Sequence, residues 1–253
     1  MPAPTSESKL RPSERIIVAL DVETADNAQR IVDELGDSVG GFKIGLQLFT
    51  SAGPELVRKL AGKGHRVFLD LKFHDIPNTV AKASVEAARL GAWMFNVHAS
   101  GGGEMMKRTA NKVGEVCERE SLTPPKIIAV TVLTSSDNNL LAETGIEGDV
   151  ENQVVKLAQL TAKYGLDGVV ASALEAATIK ANVPQPFLVV TPGIRPASAT
   201  NDDQKRVTTA EEAVLNGADY LVIGRPITQA ANKREAALAI ANQIPEISDR
   251  SPV

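Results

Sequence analysis

The feature that most constrains the fold of this chain is a regular alternation between short apolar runs and longer segments with helical spacing. Each run is four to eight residues long, and most are rich in Val, Ile and Leu. This is typical of strands that are buried on both faces of a parallel sheet. The runs are Ile16–Asp21, Phe42–Leu46, Val67–Lys72, Met94–Ala99, Ile127–Leu133, Gly168–Ser172, Phe187–Pro192 and Tyr220–Gly224.

The segments between the runs carry Ala, Leu, Glu and Lys at the spacing of helices. Clear examples are Asn27–Leu35, Val80–Leu90, Val150–Tyr164 and Ala210–Leu215. Gly91, Gly165 and Gly217 each stand just before a strand, where a left-handed glycine usually ends a helix. Eight strands with intervening helices, in a chain of 253 residues, predict a single (β/α)8 TIM barrel of the α/β class.

An open doubly wound sheet is the alternative architecture. It normally needs only five or six strands, and it carries a glycine-rich turn after the first strand. Here that turn is Asp21-Val22-Glu23-Thr24, which contains no glycine. The sequence therefore favours the closed barrel.

The two ends of the chain are rich in Pro, Ser and charged residues. We expect residues 1–14 to be a flexible leader and residues 245–253 a flexible tail, because neither can bury enough apolar surface to become ordered. The barrel then spans residues 15–244. The leader lacks the apolar core of a signal peptide, and no stretch reaches the ~18 apolar residues that span a bilayer. We therefore expect a cytoplasmic protein that does not contact a membrane.

Composition excludes several classes of site. The chain has 27 basic and 31 acidic residues and a net charge of −4, which argues against a nucleic-acid-binding surface but not against a site for a small anion. The single cysteine, Cys117, excludes an intrachain disulfide framework and a zinc site built from several cysteines. A single cysteine also fits a reducing compartment.

A cluster of charged residues is predicted at the end of the third strand. Asp70 and Lys72 are two residues apart, so their side chains share one face, while Leu69 and Leu71 take the other. Outward leucines would direct Asp70 and Lys72 into the barrel mouth. Lys43 lies within the apolar second strand, where it needs an anionic partner, and Asp75 adds a second carboxylate beyond Lys72.

Three chemical interpretations compete with an ordinary salt-bridge network at this cluster: a Schiff-base lysine, a lysine that acts as a general acid, and a Mg²⁺ site. A Schiff-base lysine needs a lowered pKa, but two flanking aspartates hold the ammonium of Lys72 charged, which favours a general acid. A Mg²⁺ site could use Asp70 and Asp75, but a lysine within the cluster competes for the same carboxylates. We expect no metal. The histidines His65, His74 and His98 are scattered, and we do not expect them to be catalytic.

A phosphate site is predicted on the opposite strands. In barrels of this kind, the loops after strands seven and eight often bind phosphate. The seventh strand leads into Gly193-Ile194-Arg195-Pro196 and a long polar loop that contains Gln204, and the eighth leads into Gly224-Arg225-Pro226. A guanidinium makes bidentate bonds to phosphate oxygens. The alternative is an arginine that only caps a loop. The segment Thr134–Gly148 is a second long loop at the barrel mouth.

The run from Asp70 to Thr79, Asp-Leu-Lys-Phe-His-Asp-Ile-Pro-Asn-Thr, closely resembles the signature of the orotidine 5′-monophosphate decarboxylase family. Similar landmarks occur in the same order from about residue 15 to residue 244. They are Ala19-Leu20-Asp21, the strand with Lys43, Val130-Thr131-Val132-Leu133-Thr134, Pro192-Gly193-Ile194-Arg195 and Gly224-Arg225-Pro226. The Asp-x-Lys-x-x-Asp core also occurs in Mg²⁺-dependent sugar-phosphate decarboxylases and aldolases. The Ile-Pro-Asn-Thr extension resembles the orotidylate enzymes.

The resemblance implies conversion of orotidine 5′-monophosphate to uridine 5′-monophosphate and CO₂, the last step of de novo pyrimidine synthesis. It implies no cofactor, no metal, and a homodimer with shared active sites. A Mg²⁺-dependent sugar-phosphate enzyme and a catalytically silent nucleotide binder are the alternative functions.

The resemblance also implies roles for individual residues. Lys72 would protonate C6 of the pyrimidine, Asp70 would lie against the substrate carboxylate, and Asp75 would come from the partner chain. Lys43 would complete the charged chain and hold a ribose hydroxyl. The other substrate-binding residues would be Asp21 and Thr79 for the ribose, Thr134 for the pyrimidine ring, Arg195 on the phosphate-side loop, and Gln204, Gly224 and Arg225 for the phosphate.

Overall fold

Eight parallel strands close into a barrel in the computed structural model, which describes residues 10–195 and 208–246. The strand order follows the chain, and the last strand pairs with the first, which confirms the predicted (β/α)8 barrel. The strands are β1 (Ile16–Ala19), β2 (Gly41–Gly45), β3 (Val67–Phe73), β4 (Met94–His98), β5 (Lys126–Val130), β6 (Gly168–Val170), β7 (Leu188–Thr191) and β8 (Tyr220–Ile223).

The helices of the described residues lie in the links between strands and after the last one. They are α1 (Ala25–Leu35), α2 (Leu46–Ala52), α3 (Glu55–Gly62), α4 (Pro77–Arg89), α5 (Gly103–Glu120), α6 (Asn138–Glu143), α7 (Val150–Lys163), α8 (Ala176–Asn182), α9 (Ala210–Leu215), α10 (Arg225–Thr228) and α11 (Lys233–Ala241). Gly91, Gly165 and Gly217 all have positive φ, as predicted for residues just past a helix end.

Most strands are shorter at their carboxyl ends than their apolar runs. β1 ends at Ala19 rather than Asp21, and β5 ends at Val130 rather than Leu133. Just beyond these ends, the Leu20 N–H still donates to Lys43 O and the Thr131 N–H to Val170 O, and the residues that follow line the mouth of the barrel. The predicted loop Thr134–Gly148 is also not wholly irregular, because it contains α6, whose first turn is capped by the carboxylate of Asp137.

Alternate strand residues form two apolar layers. Residues such as Val18, Ile44 and Leu69 face outward into the layer between strands and helices. Leu71 also packs on this outer layer, as predicted. The inner layer fills the barrel and consists of Ile17, Ala19, Phe68, Met94, Ile128, Val190, Tyr220 and Val222. The barrel interior is thus a packed core below its mouth.

Aromatic side chains close the amino-terminal end of the barrel, which we call the floor. The rings of Trp93 and Tyr220 meet edge to face with centroids 5.2 Å apart, and the guanidinium of Arg66 lies 5.4 Å from the centroid of the Trp93 ring. Leu10 packs against the inner layer, and a 3₁₀ turn spans Pro12–Arg15. The described residues thus include 10–14, which the sequence assigned to the leader.

Two further findings bear on function. Within the described ranges, no helix is long and apolar enough to cross a membrane. Cys117 is buried with a free thiol, and burial raises the pKa of that thiol.

Candidate active site

A cavity of about 580 Å³ opens at the carboxyl ends of the strands. Its walls contain side chains from strand ends and the loops that follow them, which is where this fold places its chemistry. The predicted site residues that line it are Asp21, Lys43, Asp70, Lys72, Thr134, Arg195, Gly224 and Arg225.

Lys43 is the most buried charge in this cavity, with 8% of its surface exposed. Its neighbours Phe42 and Ile44 face outward, so strand alternation directs the lysine into the barrel. Its Nζ lies 3.1 Å from Asp21 Oδ1 and 3.3 Å from Asp70 Oδ2. Burial alone would lower the pKa of Lys43, but the charges of Asp70 and Asp21 outweigh burial and raise it. Lys43 is therefore a fixed cation.

Asp70 lies between the two lysines. One carboxylate oxygen contacts Lys43, and the other lies 2.7 Å from Lys72 Nζ. Burial would raise the pKa of Asp70, but the charges of Lys43 and Lys72, with hydrogen bonds from Lys72 and Asn96, lower it. The structure thus places Asp21, Lys43, Asp70 and Lys72 in a row of alternating charge.

The backbone at Lys72 departs from regular strand geometry. Its φ is +52°, in the left-handed region that non-glycine residues rarely adopt. The β3–β4 pairing shifts register here, because Leu69 pairs with Phe95 while Phe73 pairs with Val97. The Lys72–Asp70 contact therefore forms across a bulge and not by simple alternation along a regular strand, which corrects the reasoning from sequence.

Sequence reasoning missed Asn96. This β4 residue is completely buried, its Nδ2 donates to Asp70 Oδ1 at 2.7 Å, and its Oδ1 accepts from the Lys72 backbone N–H at 2.8 Å. A signal was available, because an amide in the middle of the apolar run Met94–His98 must bond to another polar group.

His98 and His74 form a pair beside the charged row, with ring centroids 5.5 Å apart. Burial, followed by the charges of His74 and Lys72, lowers the pKa of His98, while Asp70 acts in the opposite direction. A neutral His98 adds no positive charge next to Lys72.

Asp75 and Thr79 do not line this cavity. Both are exposed; Asp75 accepts the N–H of Ile76 at 2.6 Å, and Thr79 lies in the first turn of α4. Ile76 between them is 67% exposed. Gln204 lies outside the described residues.

The predicted phosphate residues lie on the β7 and β8 side of the cavity. Arg195 donates its backbone N–H to Thr208 O at 3.1 Å and one guanidinium N–H to Ile194 O at 3.0 Å. Gly224 precedes α10, and Arg225 is its first residue. A Cβ built on Gly224 would lie 3.6 Å from Ala19 Cβ, so β8 leaves the barrel close beside β1.

The described residues contain no group of three or more His, Cys, Asp or Glu side chains placed to hold a metal ion. The carboxylates of the cavity are paired with lysines, which is an arrangement for binding charge in a substrate and for moving a proton.

Comparison with known proteins gives a consistent result. Residues 14–240 match the model of the family described as "Orotidine 5′-phosphate decarboxylase / HUMPS family". The chain is 52% identical over 230 residues to the orotidine 5′-phosphate decarboxylase of Geotalea daltonii, covering 91% of this chain and 95% of the relative. It is 48% identical over 239 residues to that of Syntrophomonas wolfei, covering 94% of this chain and 100% of the relative.

A solved structure agrees with this fold. The crystal structure of orotidine 5′-phosphate decarboxylase from Lactobacillus acidophilus superimposes with a TM-score of 0.80 at 38% sequence identity. The match covers 90% of this chain and 97% of that one.

Proposed function

The chain belongs to the orotidine 5′-phosphate decarboxylase / HUMPS family, and we infer that it converts orotidine 5′-monophosphate to uridine 5′-monophosphate and CO₂. This is the last step of de novo pyrimidine nucleotide synthesis. The Mg²⁺-dependent sugar-phosphate reactions of the wider family are not favoured, because relatives 52% and 48% identical are named orotidine 5′-phosphate decarboxylase.

The reaction breaks the bond between C6 of the pyrimidine and its carboxylate carbon, and the electron pair stays on C6. No adjacent π system delocalises that pair, so the transition state needs a positive charge that is already in position. The observation that carries our assignment is the ammonium of Lys72, held 2.7 Å from Asp70 in the wall of the cavity. Lys72 then donates its proton to C6, which forms the C–H bond of the product.

Asp70 supplies the second part of this proposal. Its carboxylate stays ionised because two lysines flank it. A substrate carboxylate placed next to Lys72 lies close to Asp70 as well, and repulsion between the two anions disappears as CO₂ departs. Lys43 contacts the other carboxylate oxygen of Asp70, so the negative charge of Asp70 is shared between two lysines and is not neutralised by Lys72 alone.

We assign the parts of the substrate to different walls of the cavity. We assign the ribose hydroxyls to Asp21 and Lys43, the pyrimidine to Thr134, and the phosphate side to Arg225 with Gly224. Arg195 and Gln204 belong to the loop on that side. A cavity of about 580 Å³ is in the range that encloses a small-molecule ligand.

Asp75 and Thr79 require a second chain in this proposal. Both are exposed and lie outside the cavity of their own chain, next to the exposed Ile76. A homodimer in which they reach the partner's cavity gives each site a second aspartate near Lys72. We place this homodimer in the cytoplasm, acting without a cofactor or a metal.

The test is loss of orotate absorbance when orotidine 5′-monophosphate is added to the purified protein in EDTA. We expect full turnover. Turnover that survives EDTA would exclude a Mg²⁺-dependent sugar-phosphate enzyme, whereas no turnover of this substrate with or without Mg²⁺ would contradict the assignment. Tight nucleotide binding without turnover would identify a silent binder.

A further inference from the structure

We propose that Asn96 is a positioning residue for this reaction, which holds Lys72 and Asp70 in their relative orientation. The inference rests on the proposed function only for its catalytic consequence. The geometry itself comes from β3 and β4, where the completely buried amide of Asn96 contacts both residues.

The first part of the evidence is the pairing of the two strands. From Leu69 to Phe73 is four steps along β3, whereas their partners Phe95 and Val97 are two steps apart on β4. Between these two pairs β3 has three residues, Asp70, Leu71 and Lys72, whereas β4 has only Asn96, so both charged residues lie in the irregular part of the β3–β4 pairing. The Lys72 N–H is then bonded to the side-chain oxygen of Asn96 at 2.8 Å.

This bond supports a strained backbone. Lys72 adopts φ of +52°, which is unfavourable for a residue with a Cβ, so neighbouring contacts must maintain it. A buried backbone N–H without a partner adds a further cost. Asn96 removes that cost only in the bulged geometry, and so favours the conformation that brings Lys72 Nζ to Asp70.

The second part is the bond to the carboxylate. Asp70 Oδ1 accepts both from Asn96 Nδ2 and from Lys72 Nζ, each at 2.7 Å. The amide can face only one way, because a backbone N–H cannot accept a hydrogen bond and an ionised carboxylate cannot donate one. One neutral side chain therefore sets both the direction of the carboxylate and the position of the lysine backbone.

The absence of charge on the Asn96 side chain is important for its role. Asp70 is faced by Lys43 from β2, by Lys72 from its own strand and by His98 from β4, with Asp21 on the far side of Lys43. A cation at position 96 would draw Asp70 away from Lys72, and an anion would compete with Asp70 for the ammonium. Asn96 orients the pair without changing its charge.

Two variants separate the two bonds. Asn96→Ala removes both of them, whereas Asn96→Asp keeps the oxygen that accepts from Lys72 and loses the donor to Asp70. The matched control is Val97→Ala, which truncates the adjacent, equally buried β4 residue on the outer layer. We expect kcat to fall about 100-fold in both Asn96 variants with KM within about threefold of wild type, since misplacement of reacting groups costs about this much. Val97→Ala should lose stability but keep kcat.

A second measurement does not depend on activity. Hydrogen–deuterium exchange of the Lys72 backbone amide should be faster in Asn96→Ala than in wild type, and close to wild type in Asn96→Asp and Val97→Ala. A wild-type protein with no turnover refutes the proposed function, and exchange alone then decides the role of Asn96. Either a kcat of Asn96→Ala within threefold of wild type or unchanged exchange at Lys72 would overturn the inference.

Discussion

At the scale of single residues, the candidate site is a row of charges that neutralise one another in pairs. Lys43 contacts two aspartates, and Asp70 contacts two lysines. Lys72 and Asp21 are the two ends of the row, with 28% and 63% of their side chains exposed. Of the two lysines, Lys72 is therefore the one with more room to face a substrate atom, because the side chain of Lys43 is only 11% exposed.

Replacing Lys72 by alanine should abolish turnover and leave the fold intact. The change removes the proton donor and leaves Asp70 facing the substrate carboxylate without its partner. Turnover and the circular dichroism spectrum are the measurements, and Lys156→Ala, on the exposed side of α7, is the control. Near-normal kcat in Lys72→Ala would rule out this assignment.

The stability of the charged row should depend on pH with a definite sign. The pKa of Asp70 is lowered in the folded protein from an ordinary value of 3.8, because the gain from the lysines outweighs burial. The ionised group therefore stabilises the fold at any pH above 3.8, and this contribution is lost as the pH falls through the lower, folded pKa. Urea titrations should give a higher free energy of unfolding for wild type than for Asp70→Asn at pH 7, and this gap should narrow below pH 4. A gap that stays constant to pH 2.5 would contradict this.

At the scale of elements, the strand ends determine how closely the charges can approach. Gly45 ends β2, and a Cβ built there would lie 3.1 Å from Lys43 Nζ and 3.6 Å from Asp21 Oδ1. A methyl group at this position would force the ammonium to shift by a few tenths of an ångström. The absence of a side chain at the end of β2 thus leaves Lys43 Nζ at its present distance from the two aspartates.

Gly45→Ala should therefore lower kcat by displacing Lys43, with a small effect on the melting temperature. Gly114→Ala is the matched control, because Gly114 lies within α5 and a Cβ there meets no atom within 4 Å. The control should keep full activity and gain about 0.5–1 kcal/mol of stability from its better helix propensity. Equal kcat in the two variants would show that Lys43 tolerates the added methyl.

Arg225→Ala should affect substrates according to whether they carry the phosphate. We expect a loss of about 1.5–3 kcal/mol of transition-state stabilisation with orotidine 5′-monophosphate, the range for hydrogen bonds to charged groups. Orotidine, which lacks the phosphate, should be a poor substrate of the wild-type protein. The variant should turn it over only slightly more slowly than wild type does. Equal losses with both compounds would remove Arg225 from the phosphate site.

Sequence patterns were sufficient to locate the strands but not to predict the register in which they pair. The eight apolar runs located all eight strands, because burial on both faces leaves a continuous apolar signal. The bulge at Lys72 was missed, because a register shift is a property of two strands and has no signature within either one. The buried amide of Asn96 did leave a signal within its apolar run, but its partners could not be predicted without the bulge. The ends of β1 and β5 were placed too late, since Leu20, Val132 and Leu133 beyond them are also apolar.

At the scale of the whole molecule, we propose that two chains together complete each site. The cavity walls contain Lys72 and Asp70, while Asp75 is exposed on the outside of the same chain. Two-fold symmetry would exchange this residue between partners, so that each chain completes the other's site.

Mixing two inactive variants tests this exchange. Lys72→Ala and Asp75→Asn proteins, unfolded and refolded together in equal amounts, should form mixed dimers in about half of all pairings. One site of each mixed dimer receives a normal Lys72 and a normal Asp75, so about a quarter of wild-type activity should return. If both residues act within one chain, every site carries a lesion and no activity is recovered. Each variant refolded alone is the control.

The closed floor bears on how the products leave. Trp93, Tyr220 and Phe68 pack in the described interior below the charged row, so we expect carbon dioxide released beside Lys72 to leave through the mouth of the barrel. In the proposed mechanism the substrate enters and both products leave by this same opening. A nucleotide bound there would then delay the departure of carbon dioxide and keep it near C6 after the bond has broken. In the proposed mechanism, rapid protonation by Lys72 would compete with recombination, so the same ammonium would both assist bond breaking and commit the carbanion to product.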